Sequence, residues 1–177
     1  MQRTVCTALC LIMAPSVYAQ VQSVAPTQDA TAPPASAHAV LTLHAVGSQI
    51  YTCQPVGQAA NRGFHWIFFA PAARLFDSAG NEVATHGDGP VWNYQDGSSV
   101  GGVVQATTAS PDRGSIPWLL LKAVHPQRTG ILSTVDFIRR SETQGGTAPA
   151  TSCDATHQGD FTRVPYTATY TFYSARP

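Results

Sequence analysis

The sequence predicts an all-β protein, an antiparallel β-sandwich of about eight to ten strands with one disulfide. Three observations carry the prediction. Short apolar runs are cut every few residues by Gly, Pro, Asn and Asp; several of these runs alternate apolar and polar residues with a period of two; and two cysteines, Cys53 and Cys153, stand downstream of an apparent export signal. The final run is the cleanest. In YTATYTFYSA, Ala168, Tyr170 and Phe172 share one face while Thr167, Thr169, Thr171 and Tyr173 share the other, the pattern of a strand with one buried face.

The elements follow in chain order. Met1 to Ala19 has Arg3 in a charged n-region, an apolar stretch from Val5 to Met13 and a Val17-Tyr18-Ala19 cleavage site, the composition of a secretory signal peptide. Its apolar stretch falls well short of the ~20 residues that cross a bilayer. Residues 20–38, rich in Ala, Pro, Ser, Thr and Gln and free of aromatics, read as a disordered linker. A single domain follows over residues 39–177. With Cys6 and Cys10 removed in the leader, Cys53 and Cys153 are left to pair, and a loop of roughly 100 residues closed in this way adds about 4 to 5 kcal/mol on a chain-entropy model.

Within the domain, Val40 to Val46 and Gln49 to Gln54 read as a hairpin turning at Gly47-Ser48. FHWIFFA (Phe64 to Ala70) is apolar on both faces, which predicts a central strand with Phe64, Trp66 and Phe68 in the core and His65 as a neutral core histidine, the run ending at Pro71. ARLFDSAGNEVATH gives two strands about a turn at Ser78 to Asn81. Ser99 to Ala109 and Leu132 to Arg140 are further strands, with Gly101-Gly102 marking a bulge or a close backbone approach. WLLLKAVH (Trp118 to His125) has the length of a buried strand and some helix-forming residues, so both states stay open.

Charge narrows the function. Ten basic residues balance ten acidic ones, and no more than two basic residues stand together, at Arg139-Arg140. That excludes a nucleic-acid footprint and a polybasic membrane patch. Lys122 is the one lysine, without context for a Schiff base. No GxGxxG or P-loop is present, so no cofactor is implied. Gly97-Ser98-Ser99-Val100-Gly101 has GxSxG spacing but reads as a turn running into a strand rather than a strand-to-helix elbow, so no serine nucleophile is implied.

The stretch ATHGDGPVWNYQDGSSVGG, Ala84 to Gly102, concentrates the candidate residues. Its glycines, Pro90 and Asp96-Gly97 read first as turns, giving a hairpin VWNYQ, DGS, SVGGVV. His86, Asp88 and Asp96 beside Trp92 are the alternative: an acid–base group with a sugar platform, or a small metal site, although the spacing fits no zinc signature. Arg140 is expected to pair with Asp136 or Asp96, a surface ion pair worth under about 1 kcal/mol.

Taken in order, Gly89-Pro90-x-Trp92, Asp96-Gly97-Ser98-x-Val100, Ile116-Pro117-Trp118-Leu119-Leu120-Leu121, Ile138-x-Arg140-x-x-Thr143-x-Gly145-Gly146-x-x-Pro149 and Cys153 form a pattern. From Ile50 to Tyr173 the chain is similar to the secreted domain of unknown function family 3455. The resemblance implies an exported, single-domain protein and brings no assigned catalytic residue. Fungal relatives sometimes carry a malate-dehydrogenase label, which this chain does not support, lacking a dinucleotide-binding loop. Relatives place an aromatic and a small residue after the histidine where this chain has Gly87-Asp88, which leaves His86, Trp92 and Asp96 as better candidates than Asp88.

Two functions follow as expectations. The first is a non-catalytic, secreted (periplasmic or extracellular) module that binds a surface component such as glycan through Trp92, Tyr94 and Trp118, with no nucleic-acid or membrane partner in the mature form. The second is a hydrolase or metal-dependent enzyme centred on His86 and Asp96.

Overall fold

The alternation at the C-terminus generates the feature that closes the fold. Along β8 (Phe161–Ser174), Tyr166, Ala168, Tyr170 and Phe172 are buried on one face, and the strand pairs with β1 (His38–Val56) from His38↔Ser174 to Thr52↔Phe161. This joins the first strand to the last. In the computed structural model, which describes residues 29–58, 62–127 and 129–176, the other strands are β2 (Gly63–Phe76), β3 (Glu82–Gly87), β4 (Val91–Tyr94), β5 (Ser99–Thr108), β6 (Trp118–Gln127) and β7 (Phe137–Gly145). The signal peptide expected at residues 1–19 lies outside the described residues.

The protein is all-β, with eight antiparallel strands and the disulfide Cys53–Cys153, whose Cα atoms lie 6.1 Å apart. The layering differs from the sandwich expected. Neighbours follow chain order from β1 to β8, and β8 returns to β1, so one sheet closes into an up-and-down barrel. A period-two pattern has one buried face in either architecture, so it cannot separate them. The long pairing of β1 with β8 decides, and it is a non-local contact.

Three local expectations also change. Gly47-Ser48 is not a turn, because β1 runs unbroken for 19 residues. Gly47 instead faces Ala73 across β1 and β2, where a Cβ would meet the Ala72 carbonyl oxygen at 2.3 Å. The glycine reflects close backbone approach. The FHWIFFA segment is not central: β2 pairs with β3 only from Ala73 to Phe76, so its upper half has β1 on one edge and no strand on the other. Phe68 and Phe69 are 52% and 54% exposed, Trp66 is half-buried and His65 is exposed. Pro71 does not end the strand, because it stands where β2 has a free edge and its missing N–H is tolerated there. Leu132 to Thr134 belongs to a short 3-10 turn (Ile131–Thr134), with β7 starting at Phe137.

Other expectations hold. The turn between β2 and β3, the β4–β5 hairpin and the strand at Trp118 all form. Gly101 and Gly102 serve both roles expected of them: the β5–β6 register shifts beside Gly101, and a Cβ on Gly102 would sit 3.0 Å from Leu121 and 3.2 Å from Trp92.

The two ends of the barrel differ. The 3-10 turn closes one end, burying Leu132 and Val135 against the core of Leu43, Leu75, Val100, Ile138 and Phe172. Residues 29–37, expected in the linker, pack against the outside of the barrel. Thr31 is fully buried and Asp29 pairs with Arg139, whose guanidinium also lies over the Trp118 ring.

Gly47→Ala is expected to destabilise the barrel by about 1 to 3 kcal/mol, the usual cost of overpacking. Urea denaturation measures it; a loss within the ~0.5 kcal/mol typical of surface changes would mean that the β1–β2 approach does not require glycine.

Candidate functional site

The residues of Ala84 to Gly102 go to two separate places. β3 and β4 are short, six and four residues, and pair as Ala84↔Tyr94, Thr85↔Asn93, His86↔Trp92 and Gly87↔Val91. His86 and Asp88 therefore stand at the β3–β4 turn, and Asp96 at the opposite β4–β5 turn, roughly 10 Å further along the strand direction. The structure does not bring His86 and Asp96 together.

Asp96 holds the closed end of the barrel. Its Oδ1 accepts from Ser98 N at 2.8 Å and Ser98 Oγ at 2.6 Å, and its Oδ2 accepts from Ile131 N at 2.9 Å, while Ser98 Oγ accepts from Leu132 N at 3.2 Å. Two of the 3-10 turn's amides are satisfied in this way. The Ser98 hydroxyl first, and then the Ile131 and Ser98 amides, hold the Asp96 carboxyl below its ordinary range. Asp96 makes no pair with Arg140, nor does Asp136, which accepts from Ala175 N and lies 3.9 Å from Arg176. Arg140 instead donates from Nε and Nη2 to the Pro117 carbonyl at 3.1 and 2.9 Å.

His86 and Trp92 belong to the wall of a cavity at the other end. Their rings stack at 4.2 Å and 4°, and Tyr170 meets both edge-on. His86 Nδ1 donates to the Val91 carbonyl at 3.0 Å, which sets the tautomer. The cavity, ≈ 240 Å³, arises because β3 and β4 stop early between two longer strands. Phe68, Phe69 and Pro71 of β2 stand on one side and Val104 of β5 on the other, with Asp88, Gly89 and Pro90 along the sill. Inside are Gln49, Leu119, Leu121, Arg140 and Tyr170 as well as the two stacked rings.

The three aromatics expected to form a platform are dispersed. Trp92 is 1% exposed, Tyr94 is half-buried at the edge of the core, and Trp118 is half-buried beneath Arg139. Gln49 and Phe69 are cavity residues with no local signal to distinguish them, while Phe68, expected in the core, and Arg140, expected in an ion pair, also line the cavity. Among the described residues, no three His, Cys, Asp or Glu side chains converge on a position that could hold a metal ion.

Burial pushes the His86 imidazole down to about 4, and the nearby Arg140 guanidinium pushes the same way against the Val91 hydrogen bond. Above pH ~6.5 the ring is neutral folded and unfolded, and its contribution is intact; between about 6.5 and 4 only the unfolded chain takes up the proton. Stability should therefore fall by up to about 3 kcal/mol across that window. His86→Phe is expected to flatten this part of the profile in urea melts at stepped pH, and an unchanged slope would refute the assignment. Asp96→Ala should lower Tm at pH 7 with no effect on the His86 window.

No curated protein and no solved structure matches the chain. The matching family model, described as protein of unknown function (DUF3455), spans residues 33–174, and the chain belongs to that family.

Proposed function

We propose that this protein is an exported, non-catalytic binding barrel that admits a small, mainly apolar ligand through the gap above β3 and β4. The observation that carries the reading is the cavity itself: an aromatic and aliphatic pocket, entered between Phe68, Phe69 and Val104, beside the packed core. Concave, mostly apolar sites with a few polar groups are the usual form of small-molecule sites. At ≈ 240 Å³ it lies below the ~300 to 1,000 Å³ common for drug-sized ligands, so it suits a small molecule or one end of a longer one.

The dispersal of Trp92, Tyr94 and Trp118 favours this occupant over a polysaccharide, which needs an open aromatic surface. The leader-like N-terminus and the disulfide support export.

Titration with the neutral fluorophore N-phenylnaphthylamine tests the reading. Saturable emission enhancement is expected, weakened about tenfold by Phe68→Ser with Phe69→Ser, as loss of apolar contact predicts. Asp96→Ala should bind as the parent does. Absence of saturable binding, or equal binding by the double variant, would remove the proposal.

A further inference from the structure

Resting on the binding reading above, we infer that the cavity is built for a carboxylic acid with an apolar body, its carboxylate taken by Arg140, Gln49 Nε2 and Trp92 Nε1.

Two of the wall's polar atoms lack partners. Gln49 is 3% exposed and Trp92 1% exposed; Trp92 Nε1 is buried without a hydrogen bond, and Gln49 Nε2, within reach of the Tyr166 hydroxyl, makes no well-formed hydrogen bond either. Buried polar groups are nearly always paired, so two orphans on one cavity wall call for an explanation. Both are donors, and Trp Nε1 can be nothing else. What would satisfy them is an acceptor.

The third group adds the sign. Arg140 is half-buried on the same wall, spends Nε and Nη2 on the Pro117 carbonyl, and forms no ion pair among the described residues. A guanidinium sheltered from water without a counter-ion favours an anion. The acid on the cavity's lining, Asp88, is exposed on the sill and makes no pair with Arg140. His86 has its Nδ1 proton committed to Val91, so it competes for nothing in the cavity through that atom. The remainder of the lining is largely aliphatic or aromatic, including Leu119, Leu121, Phe68 and Tyr170, and suits a hydrocarbon body. A carboxylate presents two acceptor oxygens and a charge while adding little volume, which fits three donors in a space of ≈ 240 Å³.

The experiment displaces bound N-phenylnaphthylamine with octanoate and, separately, with octanol, which has the same chain and no charge. The parent should bind octanoate about tenfold or more tightly than octanol, the usual worth of a charge-assisted hydrogen bond. Arg140→Met should abolish that preference and leave octanol unchanged. Because Arg140 also holds the Pro117 carbonyl, Gln49→Leu is the second variant: it removes one donor with little change of volume and should weaken octanoate several-fold with no loss for octanol. Equal binding of the two probes by the parent, or a preference that survives in folded variants, overturns the carboxylate assignment while the apolar cavity stands. Failure of both to displace the fluorophore overturns it as well. Absence of fluorophore binding altogether is a different result and sinks the binding reading itself.

Discussion

The pairing of β1 with β8 is the constraint from which the rest of the structure follows. β1 is hydrogen-bonded to β8 on one edge and to β2 on the other over most of its 19 residues, so it is the seam that makes a sheet into a barrel. Closure removes most of the exposed edges that an open sheet must otherwise blunt, leaving those of β2 and β5 beyond the β3–β4 turn. It also fixes which side chains face inward: Leu43 and Ala45 on β1 meet Ala168, Tyr170 and Phe172 on β8 in one core. Bringing residues more than a hundred positions apart into register costs loop-closure entropy. The disulfide ties Cys53 near the end of this seam to the loop before β8, which reduces that cost in the same region.

With the seam fixed, the length of β3 and β4 determines where the barrel opens. Their neighbours β2 and β5 are 14 and 10 residues long, and both extend well past the β3–β4 turn. A gap is unavoidable, and Phe68, Phe69 and Val104 line it with apolar surface that the core cannot bury. The β1–β2 register shift at Ile50/Tyr51 lets Phe68 and Phe69 oppose one position of β1, and such bulges redirect side chains. The opening thus depends on a short hairpin and a bulge, both local devices, set into a globally closed sheet.

The parts of this design legible in the sequence are those with local causes. Period-two alternation in β8 gave its inward face residue by residue, and Asp96-Gly97 and Ser78 to Asn81 gave their turns, because turn chemistry acts over four residues. Gly47 misleads for an equally physical reason: a glycine serves a turn and a tight strand contact alike, and only the partner strand, 26 residues later at Ala73, tells them apart. FHWIFFA looks like a core strand because apolar composition is the same whether the residues are buried or line a mouth. Of the candidate residues, His86, Trp92 and Asp88 do meet at one site, yet Gln49, Arg140 and Tyr170 arrive there from β1, β7 and β8, and the Ile138-x-Arg140 motif by itself says nothing of where the guanidinium goes. Asp96 shared a short stretch with His86, and sequence proximity concealed that a four-residue strand separates them.

The chemistry of His86 bears on the choice between binding and catalysis. A general base works best with a pKa near the ambient pH and with a second group that orients it. His86 is oriented, by the Val91 carbonyl, but this partner is neutral; burial holds its pKa at about 4, and its ring lies flat against Trp92. Asp96, the carboxylate placed nearby in the sequence, is occupied at the other end of β4. A neutral imidazole wedged between aromatic rings supplies shape and a fixed dipole to a cavity wall. Paired with a lone guanidinium and two free donors, it makes a surface suited to holding an anion's oxygens in place and poorly suited to moving a proton at neutral pH.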